Sequence, residues 1–196
     1  MDRIRVMLVE DDPFWQENIS RDLAEEPDIE VVAVTGTKEE AVQAALGKEI
    51  DVVLMDINLT ENRLDGLEAA HELTTLIPER RRIKIIMLTS LSDKEIIVKS
   101  FQLGAMNYIT KQSYKDIVRA IRDAHEDRSS IHADAADVMR SEVQLMTLTP
   151  VEREVFELRR QGFSKQQISD KLHKSTNTIK SQLKSIKAKL YPFKNE

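Results

Sequence analysis

Five short apolar runs occupy the first two-thirds of the chain, and a helical pattern of apolar residues follows each of them. The runs cover residues 3–9, 29–34, 52–56, 83–88 and 106–109. Runs this short, bounded by polar loops, are typical of strands buried on both faces of a parallel sheet. Their strict alternation with helices predicts a doubly wound α/β domain with a five-stranded parallel sheet in the order 2-1-3-4-5.

The first helix carries its own start signal. Asp12 is followed by Pro13, and proline is favoured in the first turn of a helix, where its missing N–H is not needed. We interpret Phe14, Ile19 and Leu23 as the inner face of this helix, because apolar residues at helical spacing turn toward the core.

The rest of the chain is predicted to be helical. Capping signals at Thr149, Ser164 and Ser175 predict three short helices with tight turns, which are typical of a helix-turn-helix unit. Residues 128–147 lack Gly and Pro and predict a connecting helix, whose apolar stripe either packs on one of the domains or forms a dimer seam. The stripe consists of Ile131, Ala135, Val138, Met139, Val143 and Met146. We therefore predict a first domain at 1–127, a helical linker at 128–147 and a small all-α domain at 148–196.

Charge is distributed unevenly along the chain, whose net charge is −5. From residue 150 to 196 there are 11 basic and 5 acidic residues, which gives this part +6 and leaves −11 on the rest. We infer that only the C-terminal domain meets a polyanion. There is no cysteine, no signal-peptide pattern and no apolar run near the ~20 residues of a membrane span, so we expect a cytoplasmic protein with no membrane partner.

Polar side chains follow four of the predicted strands. Glu10 and Asp11 follow the first, Asp56 ends the third, and Thr89 and Lys111 follow the fourth and fifth. The predicted topology brings all of them to one edge of the sheet. Crowded carboxylates favour a hard cation such as Mg²⁺, and a carboxylate can act as a nucleophile toward phosphorus. The lysine and threonine could then bind phosphoryl oxygens.

In this setting residues 1–127 resemble the receiver domain of bacterial two-component response regulators. The resemblance rests on Leu8-Val9-Glu10-Asp11-Asp12-Pro13, Met55-Asp56, Asp65-Gly66-Leu67-Glu68, Leu88-Thr89-Ser90 and Tyr108-Ile109-Thr110-Lys111. It implies a flavodoxin-like fold and a sensor histidine kinase as the phosphoryl donor. Any single motif is weakly specific, whereas all of them in this order and spacing are strongly specific.

The resemblance also implies the roles of the acidic residues. Asp56 is the expected phosphoacceptor, and Glu10 and Asp11 are expected to hold Mg²⁺ together with Asp56 and the backbone carbonyl of Asn58. Three acids stand in a row, and we choose the first two because Pro13 then falls where relatives often have a proline; Asp12 is then expected to cap the helix. Asp11 with Asp12 is the alternative pair.

For the other matched residues, the resemblance implies phosphoryl contacts from Thr89 and Lys111 and a switch role for Tyr108, whose rotamer follows Thr89. The chain departs from the family pattern in two places. The loop at 58–64 lacks the usual Pro and is about two residues longer, and Gln112 replaces the usual cis Pro after Lys111. A cis bond without Pro costs about 2.5–4 kcal/mol, so we expect this bond to be trans.

Residues 148–190 resemble the LuxR-type (NarL/FixJ-like) helix-turn-helix output domain, through the stretches 148–155, 162–168 and 175–180. The resemblance implies binding to double-stranded DNA. The expected contacts are Lys174, Thr178, Lys180, Ser181, Lys184 and Lys187. We expect the family's usual fourth helix, which pairs two output domains, to be lacking if the sequence is complete, and dimerisation then to come from the receiver domain or the helix at 130–146.

These features together predict a phosphorylation-dependent transcriptional regulator of a two-component system that forms a homodimer on phosphorylation. It is not expected to be an enzyme beyond its own phosphotransfer and dephosphorylation. One alternative is a Mg²⁺-dependent phosphatase with an aspartate nucleophile, but such enzymes typically have a second acid where this chain has Asn58. Another is an output domain that binds protein, because the module also resembles the promoter-reading region of sigma factors.

Overall fold

The computed structural model of the chain describes residues 3–60, 64–77, 83–128 and 130–191. The strands are β1 (Ile4–Val9), β2 (Ile29–Thr35), β3 (Val52–Met55), β4 (Lys84–Thr89) and β5 (Asn107–Thr110). The helices of the sheet domain are α1 (Pro13–Ala24), α2 (Lys38–Gly47), α3 (Asp65–Leu76), α4 (Lys94–Gln102) and α5 (Ile117–His125), with a 3₁₀ segment (Lys111–Asp116) before α5. The later helices are α6 (Ala133–Leu145), α7 (Pro150–Arg160), α8 (Lys165–Lys171) and α9 (Thr176–Leu190).

The strands form one parallel sheet in the order β2-β1-β3-β4-β5, which confirms the predicted fold class. The central strand β3 is buried along its whole length. Val9 of β1 pairs with Met55 of β3, and Met55 pairs with Met87 of β4. The carboxyl ends of these strands therefore meet at one edge, where open α/β sheets bind their ligands.

Side chains that alternate along the strands build a hydrophobic core on each face of the sheet. Met7, Val53 and Ile85 point to one face, where they pack with residues of α2, α3 and α4. Leu8 and Leu54 point to the other face, where they pack with residues of α1 and α5. Because both faces are covered, the strands have unbroken apolar sequences instead of an alternating pattern.

The inner face of α1 differs from the predicted one. Ile19 and Leu23 are buried as predicted, but the prediction for Phe14 is wrong, since its side chain is 65% exposed. One turn before Ile19 lies Trp15, which is partly buried against the same core. Positions 15, 19 and 23 are four residues apart and lie along one face of the helix, which turns position 14 away from the core.

The chain divides into two compact units, Met1–Val138 and Met139–Glu196. The division falls inside α6, the predicted connecting helix. Ala135 and Val138 pack into a core of the first unit, whereas Leu145 is buried in the core of the second. The domain limits predicted at 127 and 148 stay predictions.

The apolar stripe predicted for α6 is only partly buried. Val143 and Met146 are exposed, whereas Glu142 and Leu145 are buried. The buried side of the helix changes along its length, because residues 135 and 138 serve one core and residue 145 serves another. A single stripe read from the sequence does not capture this change.

In the described part of the second unit, three capped helices follow the end of α6, which confirms the predicted helical domain. Thr149 and Ser164 form capping boxes at the starts of α7 and α8, and the Ser175 side chain caps α9. The core of this unit consists of Leu145, Leu148, Val155, Leu158, Ile168, Ile179 and Ile186.

Two predicted features extend outside the described residues. The loop at 58–64 includes the residues 61–63, and the C-terminal domain continues beyond Tyr191, so the lack of a fourth output helix stays a prediction. Within the described part of the loop, the Thr60 hydroxyl donates to the Asp65 carboxylate at 2.6 Å. Within the described ranges, no helix combines the length and the apolar character that crossing a membrane requires.

Candidate functional site

The acidic edge of the sheet is built by neighbouring strands. Glu10 directly follows β1, and Asp56 directly follows β3. The backbone N–H of Asp56 donates to the carbonyl oxygen of Val9 at 2.9 Å. This bond continues the parallel ladder one residue past the strands, so the two acids lie side by side. Lys111 directly follows β5, and its long side chain reaches them from the far side of β4.

The ammonium group of Lys111 joins the two acids. Its Nζ lies 2.6 Å from Oε2 of Glu10 and 2.7 Å from Oδ2 of Asp56. The three residues are only 8%, 1% and 6% exposed, respectively. Buried charges of this kind are tolerated when they are paired and hydrogen-bonded. One cation here faces two carboxylates, which leaves the site able to accept a further cation.

The protonation preferences of the site follow from burial and pairing. Burial raises the pKa of Glu10 above its usual range, although the hydrogen bond from Lys111 acts in the opposite direction. Burial on its own lowers the pKa of Lys111, but its hydrogen bonds to Asp56 and Glu10 outweigh that effect and raise the pKa. The amine therefore stays charged, which suits it to hold anionic oxygens.

Asp11 completes a cluster of three acids. Carboxylate oxygens of Glu10, Asp11 and Asp56 lie within 4.8 Å of one another, and Asp11 alone is exposed. Hard oxygen donors that are open to solvent on one side fit Mg²⁺, which keeps several of its water ligands. Asp12 has a different place: its Oδ1 accepts from the N–H of Phe14 at 2.8 Å and caps α1.

The backbone directly after Asp56 and directly after Lys111 bears on two of the predictions. The N–H of Ile57 donates to Oδ1 of Asp56 at 2.6 Å, and the N–H of Asn58 lies 3.5 Å from the same oxygen. The expected role of the Asn58 carbonyl as a metal ligand stays a prediction. The described residues contain no cis peptide bond, so the bond between Lys111 and Gln112 is trans, as predicted.

Thr89 and Tyr108 both contact the backbone of Leu91. The hydroxyl oxygen of Thr89 accepts from the N–H of Leu91 at 3.4 Å, and the hydroxyl of Tyr108 donates to the carbonyl of Leu91 at 2.9 Å. Both side chains are buried, and burial raises the pKa of Tyr108, which therefore keeps its proton. If Thr89 moved, its contact with Leu91 would change, and Tyr108 is bonded to the same residue.

Gly66 allows α3 to approach the back of Asp56. A Cβ atom on Gly66 would lie 1.8 Å from the carbonyl oxygen of Asp56. The N–H of Gly66 donates to the carbonyl of Ile57 at 2.9 Å, which holds the helix start against the strand end. A larger residue would move either the helix or the backbone of Asp56.

Sequence reasoning missed Trp15, which lies at this site. The Nζ of Lys111 is 5.3 Å from the centroid of the Trp15 ring. The available signal was the spacing of Ile19 and Leu23, which points back to position 15 and not to position 14.

Sequence reasoning also missed Asp134 in the first turn of α6. Its carboxylate accepts from the N–H and the hydroxyl of Thr110, both at 2.8 Å, and from the hydroxyl of Ser113 at 3.3 Å. Burial on its own raises the pKa of Asp134, but the donors from Thr110 outweigh it and lower the pKa. Residues on both sides of Lys111 are thus hydrogen-bonded to α6. No local pattern marks such a pairing, since the partners are more than twenty residues apart in the chain.

The predicted DNA-contacting residues lie on α9 and in the turn before it. Ile179 and Ile186 face the core, which places the polar side of the helix toward solvent. The exposed members of the predicted set are Thr178, Lys180, Ser181, Lys184 and Lys187. Lys174, in the turn, is half-buried. Their contacts with DNA stay predictions.

Lys189 on the same helix is paired with an acid of α7. Its Nζ lies 2.6 Å from Oε2 of Glu152 at the start of α7, while the Ser185 hydroxyl donates to Oε1 at 2.6 Å. These donors, together with the N–H of Thr149, lower the pKa of Glu152 to about 2. Lys189 is exposed like its neighbours, but its ammonium group is paired with a buried carboxylate.

Comparison with protein families covers nearly the whole chain. The family model of the response regulator receiver domain matches residues 6–145. The model of sigma-70, region 4 matches residues 142–190. The first match spans well over half of the chain and contains every residue of the acidic site.

Curated proteins and solved structures agree with the family matches. The response regulator protein VraR of Staphylococcus epidermidis is 30% identical over 193 residues, which cover 95% of this chain and 90% of that protein. A LuxR-family two-component response regulator from an Aurantimonas species is 27% identical over 72% of this chain and 98% of that one, with a TM-score of 0.64. The RcsB–DNA complex shares the fold at 22% identity, with a TM-score of 0.67 over 96% of this chain and 92% of that one.

Proposed function

This chain belongs to the response regulators of the receiver-domain family, and from that premise we propose that it is a phosphorylation-dependent transcriptional regulator that accepts a phosphoryl group on Asp56 from a sensor histidine kinase. The observation that carries the proposal is the buried Lys111, bonded to Asp56 and Glu10 beside a third acid. Proteins of this family are not enzymes in the usual sense, and the chemistry proposed here is limited to the chain's own phosphotransfer and dephosphorylation.

In the proposed transfer, an oxygen of Asp56 forms a bond to phosphorus as the bond from phosphorus to the kinase imidazole breaks, and the electron pair leaves on the imidazole nitrogen. Lys111 is already within 2.7 Å of Asp56 and contacts the phosphoryl oxygens after transfer. Water later hydrolyses the acyl phosphate, which resets the protein.

The three acids support a Mg²⁺ site at the same edge. Glu10, Asp11 and Asp56 would hold the ion, with the Asn58 carbonyl as a further ligand. When bound, Mg²⁺ neutralises phosphoryl oxygens and the surplus carboxylate charge. The exposed position of Asp11 leaves the site open to solvent and to the incoming donor.

The proposed switch uses the contacts around Leu91. The hydroxyl of Thr89 turns to the phosphoryl group, its contact with the N–H of Leu91 is lost, and Tyr108 responds through its bond to the same residue. A new charge that biases a two-state element in this way is the usual form of a phosphorylation switch.

The proposed readout is binding of double-stranded DNA by α9. Exposed lysines follow one side of this helix, and a basic surface on a helix-turn-helix unit suits the major groove and its phosphates. We also propose that phosphorylation produces a homodimer, supported by the exposed Val143 on α6 and the exposed Met146 directly after this helix. We further propose that the protein acts in the cytoplasm, where it would meet both the kinase and the DNA.

Mass measurement and sizing before and after treatment with acetyl phosphate and Mg²⁺ test the phosphoryl part of this proposal. We expect the chain to gain the mass of one phosphoryl group and to increase in size. Asp56→Asn should gain no mass, and chelation of Mg²⁺ should prevent the gain in the unchanged chain. Labelling of Asp56→Asn at the same rate as the unchanged chain would refute Asp56 as the acceptor.

The match to sigma-70, region 4 favours one second candidate, an output unit that binds a protein partner. A gel shift with genomic fragments over a range of salt concentrations separates the two. Salt-dependent shifts that strengthen after phosphorylation support the DNA readout. The absence of any shift, with phosphorylation intact, would favour the protein partner.

A further inference from the structure

We propose that Trp15 is a positioning residue for phosphoryl transfer, because its ring fixes the ammonium group of Lys111 against the acidic site. This inference rests on the proposed function, since the contact matters only if Lys111 serves a phosphoryl group. Trp15 touches neither Asp56 nor the expected metal ligands in the described contacts, so it would act through Lys111.

The ring lies where it can constrain the lysine. The Nζ of Lys111 is 5.3 Å from the ring centroid, within the range of an attractive cation–π contact, and tryptophan is the strongest aromatic partner for such a contact. The ammonium group is thus bounded by Glu10, by Asp56 and by an aromatic face. An aromatic face offers no lone pair, so the strong hydrogen bonds of Lys111 remain directed at the two acids.

The ring is itself held in place by neighbouring aromatic side chains. It packs edge to face on Tyr114 at 5.8 Å between centroids and on Phe14 at 5.7 Å. Tyr114 lies one 3₁₀ turn after Lys111. Trp15 therefore contacts two residues, Lys111 and Tyr114, of the same short segment. On its other side, Trp15 packs against the core that holds Ile19. The ring therefore links α1 to the segment that carries the lysine.

Lysine needs such support more than arginine does. Its charge sits at the end of a flexible four-carbon chain, and holding one rotamer costs conformational entropy. During transfer the ammonium must move from two carboxylates to a phosphoryl oxygen without turning into solvent. A ring over the lysine restricts it to this path, which raises the rate of transfer.

The test compares Trp15→Leu and Trp15→Phe with the unchanged chain. Acetyl phosphate with Mg²⁺ serves as the donor, so that a kinase-docking effect does not enter. We expect labelling of Trp15→Leu to be slower by about 2- to 30-fold, the range that a lost cation–π contact allows. Trp15→Phe keeps an aromatic face, so its labelling rate should lie between those of Trp15→Leu and the unchanged chain.

Ile19→Val is the matched control. Ile19 is fully buried on the same face of α1, so its truncation loosens the packing of the helix without touching Lys111. We expect this variant to lose thermal stability but to be labelled at the normal rate. Two results would overturn the proposal. One is an equal labelling rate for Trp15→Leu and the unchanged chain. The other is a slowing of labelling in Trp15→Leu and in Ile19→Val that is proportional to the stability each variant loses.

A spectroscopic measurement reports on the contact directly, because Trp15 is the only tryptophan of the chain. Its fluorescence should change on treatment with Mg²⁺ and acetyl phosphate, and the change that accompanies labelling should be lost in Lys111→Met. If the emission stays unchanged while the chain is fully labelled, the positioning role of Trp15 is contradicted but the proposed function is not. If the mass of the unchanged chain does not increase, the proposed function is contradicted as well.

Discussion

At the acidic edge of the sheet, Lys111 is buried and shares its ammonium group between two carboxylates 2.6 and 2.7 Å away. On α9, by contrast, Lys180, Lys184 and Lys187 are exposed along the side of the helix that faces away from the core. The two regions use the same residue type under opposite conditions. In the first, low dielectric and close partners make each charge depend strongly on its neighbours. In the second, water separates the charges from one another.

The contrast explains how each region can perform its proposed role. A buried, mutually dependent cluster responds sharply when one more charge arrives, which suits a switch. Exposed charges contribute independently, which suits a surface that follows a phosphate backbone. Substitutions should therefore be coupled in the acidic site and additive on α9.

The largest effect is expected from Lys111→Met without Mg²⁺. The substitution leaves Glu10 and Asp56 buried without their cation, and breaking a buried ion pair costs about 3–5 kcal/mol. Urea unfolding measures the loss in free energy of unfolding. Added Mg²⁺ should restore part of this free energy, because it supplies a positive charge in place of the lysine. Lys184→Met on α9 is the exposed counterpart and should change the free energy of unfolding by less than about 0.5 kcal/mol. Similar losses in both variants would remove the contrast.

A somewhat smaller effect is expected from adding a methyl group behind Asp56. In Gly66→Ala the new Cβ would lie 1.8 Å from the Asp56 carbonyl oxygen, and overpacking of this kind costs about 1–3 kcal/mol. Labelling by acetyl phosphate should slow at the same time, because the backbone of the acceptor must move.

Gly162→Ala provides the comparison in the second unit. Gly162 has φ of +93° with open space around it, so the substitution adds only left-handed strain, about 1 kcal/mol. Its labelling rate should be normal. Normal labelling of Gly66→Ala as well would mean that the acceptor tolerates a shift of α3.

On α9 the expected changes concern salt dependence. Affinity for DNA falls with salt, and each lysine that meets a phosphate adds about one to the magnitude of the slope of log affinity against log salt. Each single replacement by Ala, at Lys180, Lys184 or Lys187, should therefore lower this magnitude by about one. The losses should add. Lys189→Ala should leave the slope unchanged and lower thermal stability instead, because Lys189 is paired with Glu152. Fluorescence anisotropy with labelled DNA over a salt series measures the slopes.

The smallest effect is expected from the pH dependence of Glu152. Its pKa is lowered to about 2 in the folded chain by Lys189, Ser185 and the N–H of Thr149, against an ordinary value of 4.5. A lowered carboxyl pKa stabilises the fold fully above the ordinary value, and the contribution is lost as the pH falls toward 2. Glu152→Gln should therefore unfold at a lower temperature than the unchanged chain at pH 7, and the difference should shrink between pH 5 and 2. A difference that stays constant over this range would contradict the assignment.

Sequence patterns predicted the architecture of the sheet and the edge at which the polar residues meet. Apolar runs have the length of buried strands, and parallel strands end at a common edge, so Glu10, Asp56 and Lys111 could be placed together without coordinates. Capping chemistry is equally local, and Asp12, Thr149 and Ser164 cap the helices at which they were predicted.

Contacts between distant elements escaped sequence reasoning. The error at Phe14 came from treating any apolar residue near the helix start as inward, whereas the rotation of α1 is set by the core that Trp15 joins. The bonds from Thr110 to Asp134 and the pairing of Lys189 with Glu152 depend on how elements pack, and neither leaves a local signature.

The sequence by itself determined the alternation of strands and helices, the starts of the capped helices and which polar residues follow the strands, because periodicity and capping act over a few neighbouring residues. Only the tertiary structure decided which aromatic ring faces Lys111, why Gly66 must lack a side chain and which lysine of α9 pairs with Glu152. Those outcomes depend on distances between atoms far apart in the chain, which arise only when the packed core fixes each helix at a particular rotation and depth.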